Sequence, residues 1–331
     1  MRISRPRRLR RFALIALCVA VLACGAWYWT TTARYKAARL LDYARSDENA
    51  PIWLRIQRAF GEGRMSSARI EEELRAIGPS AVPVLLDGLR DEDYEVRDAS
   101  ILALNSSTDP RVVYPLLQAV KDEETAYAAV GALSNVVSLG GVAVRKVLIS
   151  ALNDPDADIR LAAIIALGSG PASYVEDPII KMLKDPSWRV RRAAIISLGS
   201  FNSPRSLAAL LETSSNREMM MREYAVYALG IRRDREAMPV LLATLEGKYA
   251  PLRIVAANAL GFADWPEALE PLEAATHSDD PKLRDMALDA ISRIHRHMSE
   301  TGTSRPQEGQ GGCSKPLVAR AFRPRLGEAS N

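Results

Sequence analysis

Arg191-Arg-Ala-Ala194-Ile195-Ile-Ser-Leu198-Gly199 decides the reading of this chain, because it returns almost unchanged further along. Arg222-Glu-Tyr-Ala225-Val226-Tyr-Ala-Leu229-Gly230 begins 31 residues later, and Arg253-Ile-Val-Ala256-Ala257-Asn-Ala-Leu260-Gly261 another 31 beyond that. Arg284 to Ile291 is the next copy. Upstream, Arg160 with Leu167 and Arg97 with Leu104 repeat the phrase, and Leu133 marks a copy in which Ala126 takes the place of the arginine. That makes seven copies. A fixed period of this length is the signature of a repeat architecture, in which each copy is one supersecondary unit.

Each copy is preceded by a second apolar stretch with helical spacing: AVPVLLDGL from Ala81, VVYPLLQAV from Val112, VRKVLISAL from Val144, DPIIKMLKD from Asp177 and AMPVLLATL from Ala237. A unit therefore reads as helix A, a short turn and helix B. Asp154-Pro155, Asp185-Pro186 and Asp280-Pro281 fall in the turns, where Asp is expected to cap helix B and Pro to open it. Gly168, Gly199, Gly230 and Gly261 are expected to terminate helix B. Two short helices cannot bury their apolar faces alone, so the copies must stack on one another along a continuous core. With 48% hydrophobic residues but only 6% aromatic, the core has to be built from Ala, Leu, Val and Ile, as suits close helix packing. The expected fold is all-α, an α-α superhelix.

Asp185-Pro-Ser-Trp188-Arg-Val190-Arg191-Arg-Ala-Ala194 carries a turn and a helix-B start that resemble those of HEAT repeats, in the short bacterial form also found in phycobilisome lyase-like proteins. The resemblance runs from about Gly78 to Ile294. It implies a solenoid, and a family made up mostly of scaffolds and adaptors. Its bilin-handling members suggest a rival function, a bilin-lyase-type enzyme or enzyme accessory, although their chemistry maps onto no residue here.

Two sets of helix-B positions follow from aligning the copies. The repeated arginines, Arg97, Arg160, Arg191, Arg222, Arg253 and Arg284, form a ladder in which each can bond a turn Asp or a carbonyl of the neighbouring repeat. A row of anion sites is the alternative, opposed by the compensating Asp residues. Positions equivalent to 194, 195, 197 and 198 are small or apolar throughout and are expected in the core. Those equivalent to 192 and 196 vary freely, and lie one turn apart on a ridge expected to line the concave side. Leu161, Ile165, Arg192, Ile196, Tyr227 and Ile254 on this ridge are the candidate protein-binding residues. Partial burial against the next repeat accounts for the same pattern.

The termini differ from the body. Residues 1–11 contain six Arg and no acid, and 299–331 contain five basic and three acidic residues, so the formal charge of +4 leaves 12–298 at −4. A body built to follow a phosphate backbone is not supported, and no nucleic-acid partner is expected. Phe12 to Ala33 is a run of 22 uncharged residues. As a helix it spans about 33 Å, enough for the ~30 Å hydrocarbon layer. Trp27, Tyr28 and Trp29 fall where an interfacial aromatic belt belongs. The preceding arginines stay cytoplasmic by the positive-inside rule, which places the body outside the cytoplasm. Two alternatives remain open, a lipoprotein lipidated at Cys24 after Val21-Leu22-Ala23, or a cleaved export signal. The expected organisation is 1–33 basic N-terminus and membrane anchor or signal, 34–77 stalk and N-terminal capping helices, 78–298 seven repeats, and 299–331 a disordered tail rich in Gly, Ser, Pro and Gln. Within 34–77, residues 35–44 read as an amphipathic stalk and 51–77 as a degenerate first helix pair.

Catalytic constellations are missing from the sequence. No phosphate-cradling Gly-rich loop, G-x-S-x-G elbow or H-E-x-x-H motif occurs. Of three cysteines, Cys18 and Cys24 lie in the apolar run and Cys313 in the tail. His277, His295 and His297 come late, and the last two point about 200° apart on a helix. No enzyme activity, cofactor or metal is expected.

Overall fold

The computed structural model describes residues 32–45, 51, 66–170 and 174–301. Residues 1–31 of the expected anchor, 52–65 of the expected first helix pair and the tail beyond 301 lie outside the described residues. Every regular element among those described is helical. No described helix is long and apolar enough to cross a membrane. The chain divides into two compact units, 1–144 and 145–331.

The first unit holds α1 (32–44), α2 (Ser67–Ile77), α3 (Val82–Gly88), α4 (Tyr94–Leu104), α5 (Val113–Ala119) and α6 (Ala126–Leu139). Helices α3 and α5 are A helices, packed on the B helices α4 and α6, and α4 packs on α6. Helix α2 takes the B position ahead of α4. Ile101, Leu104, Leu116, Leu117 and Leu133 are sealed in this core. Helix α1 is amphipathic, as 35–44 reads in sequence, but it is not a free-standing stalk. Its Ala37, Leu40, Leu41 and Ala44 are all at most 8% exposed. A Cβ added at Gly88 would lie 2.9 Å from the Leu41 side chain, so only glycine lets α3 come this close to α1. Arg45, just past α1, then closes a double hydrogen bond of 2.7 Å per arm onto Asp91.

The second unit begins inside α7 (Gly141–Ala151). It continues through α8 (Ala157–Gly168), α9 (Glu176–Lys181), α10 (Trp188–Gly199), α11 (Pro204–Thr213), α12 (Met219–Arg232), α13 (Met238–Leu245), α14 (Ala250–Ala263), α15 (Leu269–Ala275) and α16 (Pro281–Thr301). From α8 onward the even-numbered helices are the B helices, and each packs on the next. The α11 segment, absent from the apolar stretches read in sequence, supplies the A helix before α12. Ala194, Ile195, Ser197 and Leu198 are all buried, as their positions in the repeat require.

Two features of the turns depart from expectation. The turn aspartates work in tandem: Asp154 accepts from the Asp156 N–H at 2.9 Å, and Asp156, not Asp154, caps α8 through the Asp158 N–H. Asp185 likewise accepts from the Ser187 N–H at 2.8 Å, and Ser187 holds the N-cap position of α10. Asp280 does cap directly, accepting from the Lys282 N–H at 2.9 Å with Pro281 as first helical residue.

Gly168 and Gly199 are the last helical residues of α8 and α10, but Gly230 and Gly261 lie inside α12 and α14 and do not end them. All four are helical residues at the contact between successive B helices. A Cβ on Gly230 would lie 2.5 Å from the Cα and Cβ of Ala259, and one on Gly261 would lie 2.7 Å from those of Ala290. Helices α12 and α14 end instead on Arg233 and Asp264, both left-handed, at φ 59° and 56°. These two residues stand one repeat apart and bond each other at 2.8 Å.

Candidate protein-interaction face

Two arginines of the ladder, Arg160 and Arg97, join successive repeats with the same geometry. Arg160 Nη1 donates to the carbonyls of Asp154 and Pro155 at 2.8 and 3.0 Å, closing the turn of its own repeat. Its Nε and Nη2 reach the carboxylate of Asp185 in the next turn at 2.8 and 2.9 Å. Arg97 repeats the arrangement in the first unit, with Asp91 and Glu92 carbonyls behind it and Asp122 and Glu124 ahead. Burial pushes the Asp185 carboxyl up, but the bonds from Arg160 and the Ser187 N–H outweigh it and hold the group below its ordinary value.

The joint weakens along the second unit. Asn216 stands where the next aspartate would be, so Arg191 keeps its turn carbonyls and gains Glu218, but its Nε is buried without an acceptor. At Arg222 the corresponding place is Gly247. Its Nε is also without an acceptor, and its guanidinium lies 5.0 Å from the Tyr249 ring centre. Arg253 turns its Nε back to the Leu245 carbonyl, and Arg284 bonds the carbonyls of Ser278 and Asp279. The ladder arginines are thus engaged in joints and turns.

The ridge falls into two parts. Leu161 and Ile165 are buried, at 6% and 7% exposure, which corrects their assignment to an exposed strip. The reason is α8 itself: apart from Arg160, every residue from Ile159 to Gly168 is buried, and a helix apolar on every side is covered on every side. Arg192, Ile196, Tyr227 and Ile254 remain half-exposed on α10, α12 and α14.

Around these four the structure gathers residues that sequence reading did not single out. Trp188, one turn before Arg192, is 45% exposed. The Arg192 guanidinium lies 5.4 Å from the Trp188 ring centre and 5.7 Å from that of Tyr224, so it bridges α10 and α12. On α14, Phe262 meets Tyr227 edge to face at 5.9 Å and 86°. Arg293 of α16 lies 4.6 Å over Phe262, donates to Asn258 at 3.0 Å and pairs with Asp289. Extending the i, i+4 stripe one turn each way in sequence would have reached Trp188, Phe262 and Arg293.

The B-helix face of the second unit therefore presents two aromatic–arginine clusters, Trp188/Arg192/Tyr224 and Tyr227/Phe262/Arg293. Each ring–guanidinium contact is worth about 0.5–1 kcal/mol where solvent reaches it, enough to hold the rings in place before any partner arrives.

The described residues offer little to small ligands. No group of three or more His, Cys, Asp and Glu among them could hold a metal ion. An open cleft of about 430 Å³ in the first unit is lined by Arg45, Asp87, Arg90, Asp91, Glu92 and Asp93. Walls made of charged side chains lack the mainly apolar lining that small-molecule sites use.

The profile of HEAT repeats matches residues 37–134, 145–219 and 213–292. The chain belongs to the HEAT-repeat family. The family match begins within α1, in agreement with the packing of that helix into the first unit. Among solved structures, this HEAT-repeat chain is similar to human deoxyhypusine hydroxylase in complex with glycerol, at 18% identity over 80% of this chain and 98% of that one, with a TM-score of 0.34. It is also similar to YibA of Escherichia coli, at 18% identity over 78% and 97% of the two chains, with a TM-score of 0.38. Likenesses this distant carry nothing about activity. No curated protein matches the chain.

Proposed function

We propose that this HEAT-repeat protein is a non-catalytic scaffold or adaptor that binds another protein through the B-helix face of its second unit. The observation that carries the reading is the pair of aromatic–arginine clusters. Trp, Tyr and Arg are the side chains that dominate binding energy at protein interfaces, and here they come from α10, α12 and α16, with Phe262 of α14 between the last two. We further propose that residues 12–33 tether the protein to a membrane with its body outside the cytoplasm, on the strength of the uncharged run and the six preceding arginines.

The test is affinity capture from detergent extracts with the full chain and with a Trp188→Ala, Tyr227→Ala double variant. Captured partner should fall by roughly thirtyfold or more, as for the loss of an interface hot spot, with helical content unchanged. Equal capture by both proteins overturns the assignment of this face. Intact mass of the membrane-purified protein tests the tether: full length supports a spanning anchor, whereas a chain starting at Cys24 with added acyl mass identifies a lipoprotein.

A further inference from the structure

Helix α1 turns one face into the first unit and the other to solvent. Ala37, Leu40, Leu41 and Ala44 point into the first unit, and the Arg45–Asp91 pair locks the end of the helix there. The opposite face carries Tyr35, 65% exposed, and Arg39, while Arg34 and Lys36 are exposed on its two flanks. No acid lies between Ala33 and Leu41. Asp42, two turns on, is engaged by Arg45 at 3.3 Å.

The position of this cationic face in the chain gives it a partner. The uncharged run ends at Ala33, and core packing begins at Ala37. Four helical residues rise about 6 Å, so no spacer separates the run from the folded body. Charges that close to a bilayer surface sit within the ~8 Å screening length of physiological salt. A tyrosine ring flanked by Lys and Arg is also the composition of a membrane–water interface.

We infer that the exposed side of α1, with Tyr35 and Arg39 at its centre and Arg34 and Lys36 on its flanks, rests on anionic phospholipid headgroups and holds the first unit against the membrane surface. The inference depends on the proposed tether through 12–33. It assigns α1 two simultaneous partners, the repeat core on one side and the lipid surface on the other.

The test uses the full chain reconstituted in vesicles of phosphatidylcholine alone, in vesicles containing 30% phosphatidylglycerol, and in a non-ionic detergent. Amine-reactive labelling of Lys36 is read by mass spectrometry, with the exposed Lys282 as internal reference. In the phosphatidylglycerol vesicles Lys36 should label about fivefold more slowly relative to Lys282, as expected for one basic side chain at an anionic surface. High salt, or the Arg34→Glu, Arg39→Glu double variant, should remove the difference. Protein that stays with the vesicles through a carbonate wash but labels at Lys36 as fast as in detergent overturns the inference and spares the tether. Protein released by the wash overturns both.

Discussion

Arg160 and Asp185, 25 residues apart, form a two-armed ion pair across the joint between consecutive repeats, with both side chains nearly out of solvent, at 11% and 4% exposure. The same guanidinium closes the turn behind it, so one side chain fixes both the shape of its own repeat and the position of the next.

Breaking this pair should be expensive. Asp185→Asn removes the charge while leaving Arg160 buried, and should cost about 2–4 kcal/mol in urea unfolding at pH 7. The folded carboxyl titrates below its unfolded value of about 3.9. Its contribution is therefore complete above that pH and is lost as pH falls through the folded value. The difference between wild type and variant should close on acidification, and a difference that persists in acid would count against the ion pair as its source.

The next joint can be improved. Arg191 Nε is buried without an acceptor because Asn216 replaces the aspartate. Asn216→Asp restores the arrangement seen at Asp185 and should raise the melting temperature by roughly 2 °C, corresponding to about 1 kcal/mol. An unchanged or lower value in calorimetry would refute the equivalence of the two joints.

Two glycine substitutions should move stability in opposite directions. Gly230→Ala forces a methyl group against Ala259 and should destabilise by about 1–3 kcal/mol. Gly131→Ala, at an exposed position in α6 with nothing within 4 Å of the new Cβ, should stabilise by about 0.5–1 kcal/mol. Chemical denaturation of both variants separates a contact role for Gly230 from a purely conformational one.

Asp264 is expected to behave unlike Asp185, though each faces an arginine. Burial raises its carboxyl, and Arg233, His297 and Arg293 only partly offset that. A raised folded value means that the group favours folding most below its unfolded value of about 3.9, and that this benefit is lost as pH rises through the folded value. Asp264→Asn keeps a residue tolerant of the left-handed backbone, and should leave stability at pH 7 unchanged or higher. A loss of more than about 1 kcal/mol in urea unfolding would show that the Arg233 ion pair outweighs burial.

The repeat was legible because arginine and leucine recur at fixed positions, and a period needs no tertiary information to be seen. Partners of those residues were less so. A glycine following the last leucine of a helical pattern looks the same whether it ends the helix or makes room for a neighbour, and only the approach of Ala259 and Ala290 tells the two apart. Periodicity named the face carrying Leu161 and Ile165 but not what would cover it. Arg232 lies in the charged run Arg232-Arg-Asp-Arg-Glu, where a solvated side chain is the default. It is instead 3% exposed, bonded to Asp234, the Leu198 and Ser203 carbonyls and the Ser206 hydroxyl. No local pattern distinguishes such an arginine from its exposed neighbour Arg233, 51% exposed.

The notch in which Gly199 faces Ala228, Gly230 faces Ala259 and Gly261 faces Ala290 is the same at three successive joints. Its parts are therefore interchangeable. If the 31 residues from Arg222 to Leu252 were excised, Gly199 would meet Ala259 as it now meets Ala228, and the flanking helices would join in register. A gene for such a chain can gain or lose a whole unit by duplication or deletion without inventing a new contact. The length of its B-helix face is then open to evolutionary adjustment, one helix pair at a time.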